Sequence, residues 1–242
     1  MNSFCHAKFC GLFCSLLLAV FSTQAQSSYT NNTPLSVPDW DGTGSGVQSS
    51  LTTSGLTGTI TGITLTLDLI GTGYGAFNGD YFVSLLNNQG GYAVLLNRVG
   101  VSSTDDDGYP DNGFHLTFSD LSANDIHFYQ TYVYNLDDNG ALTGLWQPDG
   151  RDVFSLADGS VFDSAARTAM LSSFFGQTPN DTWTLYLNDA GGPGGTGELI
   201  DWSLTITTST SVPEPASVSL LMVGLIFCAF QLRKKHAWRA QK

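Results

Sequence analysis

The sequence predicts an all-β fold: a single antiparallel β-sandwich of jelly-roll type, flanked by an N-terminal signal peptide and a C-terminal transmembrane helix. Three observations predict it. Apolar and polar residues alternate at period two along repeated short runs. Clusters rich in Gly, Asp and Asn separate those runs. The 242-residue chain is 42% hydrophobic and 12% aromatic, which is enough apolar material to bury a core and too much for a disordered chain.

The strands follow in order. Ile63, Leu65, Leu67 and Leu69 alternate with Thr64, Thr66 and Asp68. Tyr81, Val83 and Leu85 repeat the pattern, as do Phe114, Leu116 and Phe118 around His115 and Thr117. Trp183, Leu185 and Leu187 alternate with Thr184 and Tyr186, and Trp202, Leu204 and Ile206 with Ser203, Thr205 and Thr207. Each run reads as a half-buried strand with β-branched Thr on its wet face. Turn clusters lie at 71–79, 87–91, 105–113, 137–140 and 190–197. Only 164–175, with Ala165, Ala166, Ala169, Met170 and Leu171, has the composition of a short helix, and Asp163 is placed to cap it. One sandwich over 37–207 accounts for the pattern.

Charge divides the chain into three zones. Residues 26–212 hold three arginines and no lysine against 19 Asp and one Glu, a formal charge of −17. Phosphate binding needs clustered cations, so a nucleic-acid partner is excluded. Gly is frequent, at 27 residues, but has no three-residue period, which excludes collagen.

Residues 1–25 read as a signal peptide: Lys8, an apolar run over 9–21, then Thr23-Gln24-Ala25 and cleavage between Ala25 and Gln26. The apolar run is short for a span of about 30 Å. A linker is expected over 26–36. Cys5, Cys10 and Cys14 fall in the signal and Cys228 in the tail, so the exported region cannot form a disulfide. At the other end, a linker over 208–215 contains Val212-Pro213-Glu214-Pro215. The apolar segment 216–232 follows, just long enough to span, and then the basic tail 233–242 with Arg233, Lys234 and Lys235 on the cytoplasmic side. This tripartite tail resembles the PEP-CTERM sorting signal of exosortase-bearing bacteria. The resemblance implies an exosortase-type processing enzyme as partner, transient membrane anchoring, and delivery to the cell surface or an extracellular polysaccharide (biofilm) matrix. A plain membrane anchor is the alternative.

Val37-Pro38-Asp39 with Gly46-Val47-Gln48-Ser49 resembles the opening of the P/Homo B domain, the β-sandwich appended to subtilisin-like proprotein convertases. Gly79-Asp80-Tyr81-Phe82-Val83-Ser84-Leu85 is similar to an internal strand of that family. Trp183 to Asp189 and Gly197 to Leu204 are similar to its closing hairpin. The chain departs from the family at Gly71-Thr72-Gly73, where a His is usual, at Gly192-Pro193-Gly194, where a second acidic residue is usual, and in a longer insertion over 105–175.

No catalytic set is evident. The exported region has two histidines, His115 and His127, both read as surface or hydrogen-bonded structural residues, and no G-x-S-x-G elbow. A serine endopeptidase label inherited from the family would describe a catalytic domain this chain lacks. Zinc is disfavoured without Cys. Calcium suits oxygen donors on loops, and the resemblance places Asp39, Asp41, Asp80 and Asp189 near strand ends where they could hold it. The alternative is that Asp simply favours turns and solubility. Asp149-Gly150-Arg151-Asp152 reads as a turn fixed by an Arg–carboxylate pair, with a ligand-facing loop as the alternative. Trp40, Trp146 and Tyr109 are candidates for stacking on sugars. The expectation is therefore a non-catalytic interaction or structural module of the cell surface, in contact with envelope proteins or extracellular polysaccharide. A calcium-assisted carbohydrate-binding module is the first alternative, and an accessory domain of a subtilisin-like protease system the second.

Overall fold

Inward-facing Leu, Val, Phe and Trp from two β-sheets merge into a single apolar core in the computed structural model, which describes residues 22–41, 45–73, 76–192, 194–211 and 223–226. The chain divides into two compact units, Gln24–Thr210 and Met1–Thr23 with Ser211–Lys242. The apolar part of the signal, the motif Val212-Pro213-Glu214-Pro215 and the basic Arg233-Lys234-Lys235 lie outside the described residues. Of the expected membrane helix only 223–226 is described, as helical. No helix among the described residues is long and apolar enough to cross a membrane.

The strands are β1 (Ser22–Asn31), β2 (Leu35–Val37), β3 (Val47–Thr52), β4 (Thr59–Thr72), β5 (Tyr81–Asn87), β6 (Tyr92–Asn97), β7 (Gly113–Phe118), β8 (Leu142–Trp146), β9 (Thr182–Asp189) and β10 (Thr196–Ser211), with one short helix, α1 (Gly159–Ser164). One sheet runs β1-β10-β4-β7-β8, with β2 also on β10, and the other runs β3-β9-β5-β6. Neither closes into a barrel. Period-two alternation decides which face is buried: Leu65, Leu67 and Leu69 point inward opposite Leu204, Trp202 and Leu199, while Val83 and Leu85 face the same core opposite Leu187 and Leu185. Each such side chain contributes about 1.5–3 kcal/mol by leaving water. The Trp202 indole crosses the core and donates to Ser49 Oγ in the other sheet at 2.9 Å. At the open edges, Asn31 Nδ2 donates to the Ser50 carbonyl at 2.8 Å and Tyr29 Oη to the Ser54 carbonyl at 2.7 Å, tying β1 to β3.

Four local expectations are corrected. Residues 26–36 are not a linker: β1 and β2 occupy them, and the Ala25–Gln26 bond lies inside β1. This strand pairs on the rim of its sheet and carries small polar residues, so backbone bonding sustains it without an alternation signal. The second linker is likewise shortened, because β10 runs on to Ser211. The sheet is not purely antiparallel, since β7 and β8 pair in parallel across the 119–141 crossover. The helix lies earlier than expected: Asp158, not Asp163, accepts from the Ser160 amide and caps α1, and only a 3₁₀ turn, Leu171–Phe174, falls in the expected stretch. The 165–170 segment is extended because it pairs on the rim of β6, with Thr168 N and Ala169 N donating to the Gly150 carbonyl and Val94 N to the Ala169 carbonyl.

Candidate functional site

One end of the sandwich gathers the start of β5, the ends of β6 and β9, and the segment after β2. Asp80 ends a 3₁₀ turn, Asn78–Asp80, immediately before β5, and Asp189 closes β9. Antiparallel register sets Tyr81 opposite Asp189, and the Ala190 amide donates to the Asp80 carbonyl at 2.7 Å, so the two carboxylates are held at the same sheet end. The Phe77 amide donates to Asp80 Oδ2 at 3.3 Å and the Gly191 amide to Asp189 Oδ1 at 3.1 Å. Asp39 follows β2, and its Oδ2 accepts from the Gly194 amide at 3.1 Å. Asp41 follows on the same segment, beside residues outside the described set. Glycine is needed at 191 because its Cα lies against the Asp80 carboxylate and leaves no room for a Cβ. Gly79 packs as closely on the Asp107 carbonyl and Gly108, which brings in the 105–108 loop.

Burial pushes Asp80 up to about 6, opposed by the Phe77 amide and Arg98 and reinforced by Asp107 and Asp39. Burial likewise pushes Asp189 up to about 7, opposed by the Gly191 amide and reinforced by Asp80 and Asp39. Three of the four carboxylates expected from the sequence thus feel one another. Among the described residues, however, no three His, Cys, Asp or Glu groups close into a metal-holding set. The remaining donors a hard cation would use are carbonyls and water.

Two participants were invisible in the sequence. Tyr81 is fully buried, and its hydroxyl has no hydrogen-bond partner among the described residues. Burial and the charges of Asp189, Asp80 and Asp39 all oppose its ionisation. An unpaired buried hydroxyl costs about 1–3 kcal/mol, and this one lies against Gly197 within the influence of the three carboxylates. Arg98 is the only non-glycine among the described residues with positive φ, at 47°. Its Nε donates to the Gly79 carbonyl at 3.1 Å and its Nη2 to the Asp106 carbonyl at 2.9 Å, which places a cation beside Asp80 and Asp189. Strain of this kind persists only where its surroundings enforce it.

The histidines lie elsewhere. His115 is exposed on β7, opposite Asp68 of β4 and Thr143 of β8. His127 and Asp149 are fully buried, with Nδ1 2.7 Å from Asp149 Oδ2. The other nitrogen, Nε2, donates to the Val101 carbonyl at 2.9 Å, the position a nucleophile would need. Phe162 stacks on the ring at 5.6 Å. Arg151 donates to Asp149 Oδ1 at 3.2 Å and to Asp125 Oδ2 at 2.8 Å, and Arg167 braces the same loop through the Asp149 and Pro148 carbonyls. Burial raises Asp149, but His127 and Arg151 outweigh it and hold its carboxyl below the usual carboxylate range. Asp149-Gly150-Arg151 is therefore a turn fixed by an Arg–carboxylate pair, as expected, and His127 is hydrogen-bonded and structural. Trp146 is buried, with its Nε1 on the Thr143 carbonyl at 2.9 Å, so it offers no sugar-stacking face.

No protein family matches the chain by sequence pattern, and no characterised protein matches it by sequence. Among solved structures, similarity is found to the serine protease of Aeromonas sobria in complex with its chaperone, at 14% identity over 78% of this chain with a TM-score of 0.39. The same protease alone gives 12% identity over 80% of this chain with a TM-score of 0.38. The chain spans 28% of the length of each.

Proposed function

We propose that the chain is a non-catalytic, calcium-stabilised β-sandwich of jelly-roll type that serves as an interaction or structural module of the cell surface or extracellular matrix. The observation that carries it is the placement of Asp39, Asp80 and Asp189 at one sandwich end, where their charges act on one another and on the buried Tyr81 hydroxyl. Calcium there would be held by the three carboxylates with loop carbonyls and water, and would relieve the local repulsion of a region carrying −17. The non-catalytic reading is supported by His127, whose two ring nitrogens are both occupied in a sealed interior. The P/Homo B-like blocks supply the strands that build this end. The PEP-CTERM-like tail supports export, exosortase processing and display at the surface.

Calorimetric titration of the purified chain with calcium, with magnesium as control, tests the cation. Selective calcium uptake that Asp80→Asn removes is the expected result, and heats indistinguishable from dilution overturn it. Hydrolase assays with peptide, ester and glycoside substrates test the rest, and turnover that survives repurification overturns the non-catalytic reading.

A further inference from the structure

On the outer face of the six-stranded sheet, away from the acidic end, lies a groove of about 310 Å³ floored by Thr61, Thr64, Thr205 and Thr207 and walled by Leu121 and Phe175. We infer that this face is a binding site for a neutral polysaccharide, with a hexopyranose unit seated in the groove against Phe175. The site does not depend on the calcium reading.

The floor is made of threonines, and two of their hydroxyls are already placed. Threonine is stiff at χ1, and two floor hydroxyls are bonded across the strands: Thr205 Oγ1 with Ser28 Oγ at 2.7 Å, and Thr61 Oγ1 donating to the Thr207 carbonyl at 3.4 Å. Little side-chain freedom is left to lose on binding. The wall is fixed too. Asp120 accepts from the Leu171 amide at 3.1 Å and the Ser172 amide at 2.7 Å, pinning the 119–121 loop to the 172–175 turn. That turn holds Phe175 at 44% exposure, and the loop holds Leu121 at 95%. A concave site with apolar walls and a few convergent polar groups is the usual form of a small-ligand site. A pyranose ring has the matching chemistry, with apolar C–H faces for the phenyl ring and peripheral hydroxyls for the threonines.

Charge selects the class of sugar. Residues 26–212 contain no lysine. Their three arginines are engaged elsewhere, Arg98 at the acidic end and Arg151 and Arg167 around Asp149. No fixed cation is left for a uronate or sulfate, and Asp68, Asp120 and Asp201 on this face would repel one. Register then extends the site. Asp68 lies about 13 Å along β4 from Thr64, between Asp201 on β10 and His115 on β7, and adds acceptors and a donor for further sugar units. A peptide strand would need open backbone groups at a sheet edge, whereas this face presents side-chain hydroxyls.

Affinity electrophoresis of the full chain through gels containing dextran, glucomannan or mixed-linkage β-glucan, with alginate as the anionic comparison, tests the assignment. Retardation by at least one neutral polymer, in chelator as in calcium, is expected, with at least tenfold loss on Phe175→Ala and a several-fold loss on Thr205→Val. Phe154→Ala, at an exposed position away from the groove, leaves retardation unchanged. The assignment is overturned by no retardation in any neutral gel, by retardation in alginate alone, or by retardation that Phe175→Ala leaves intact while its melting curve is native. A concentration-dependent dimer in sedimentation velocity that Phe175→Ala abolishes would give the face to a second copy of the chain, and equally overturns it.

Discussion

Replacing Asp189 by Asn should stabilise the calcium-free protein and abolish its response to calcium. The carboxyl stands at about 7 when folded against an ordinary 3.8. Folding therefore favours its protonated form, and wild-type stability declines as pH rises from about 4 through 7 and levels off above that. At 1.36 kcal/mol per tenfold, the penalty at pH 8 has a ceiling of about 4 kcal/mol. Water at the sheet end and the charge shared with Asp80 reduce this to about 2 kcal/mol. Asn keeps the shape and the acceptor for the Gly191 amide but carries no charge. Its advantage should be absent near pH 4 and reach a melting shift of roughly 4–8 °C at pH 8, for a domain of this size. Calcium reverses the order, because only wild type gains RT ln(1 + [L]/Kd), about 2.7 kcal/mol at a hundredfold excess. The assay is a set of thermal melts from pH 4 to 8.5 in chelator, calcium and magnesium. A variant no more stable than wild type in chelator at pH 8 would falsify the electrostatic argument, and equal wild-type midpoints in chelator and calcium would refute the site.

The other predictions concern the scaffold. Gly191→Ala forces a methyl group against the Asp80 carboxylate, so it should lower the midpoint and blunt the calcium-induced shift in the same melts. Asp149→Asn takes the carboxylate from His127 and leaves Arg151 paired with Asp125 alone in a dry interior, and should cost about 3–5 kcal/mol, read as a lower urea midpoint at unchanged slope. Because Asp149 is held below the ordinary range, its contribution is present at neutral pH and disappears on acidification, so the gap between variant and wild type should close toward acid pH. Leu67→Ala opens a cavity in the shared core and should cost about 2–5 kcal/mol without altering calcium or glycan binding.

The strands that were legible are those buried on one face only. Ile63 to Leu69 and Trp202 to Ile206 alternate because solvent lies on one side and core on the other, and β4 and β10 follow that pattern closely. Strand β6 hid because both its faces are covered, leaving Tyr92 to Asn97 without alternation. Strand β3 hid because Ser49, at an inward position, is there to receive the Trp202 indole. In the candidate site the acidic residues could be chosen from their places beside predicted strand ends, and three of the four lie near enough to act on one another's charge, though no three such groups close into a metal-holding set among the described residues. The orphaned Tyr81 hydroxyl and the left-handed backbone of Arg98 could not be foreseen. Both arise from what packs around them and leave no mark on local composition.

The interior His–Asp pair shows why residue types alone misdirect a search for catalysis. His127 and Asp149 have the spacing of a base and its orienting carboxylate, and sequence supplies many serines to complete a triad. Catalysis needs the second imidazole nitrogen to face a nucleophile within reach of substrate. Here that nitrogen meets the Val101 carbonyl, Phe162 covers the ring, and neither partner touches solvent. The same bonds have an architectural consequence. They join the end of β6, the 125–131 segment and the 147–153 turn, so the long 105–175 insertion is clamped to the sandwich through one charged knot. An insertion held that firmly supplies fixed walls. Asp120 within it holds the turn at its far end that carries Phe175, and Asp107 at its near end approaches the carboxylate cluster. The sandwich sets the two surfaces apart, and the clamped insertion gives each of them its shape.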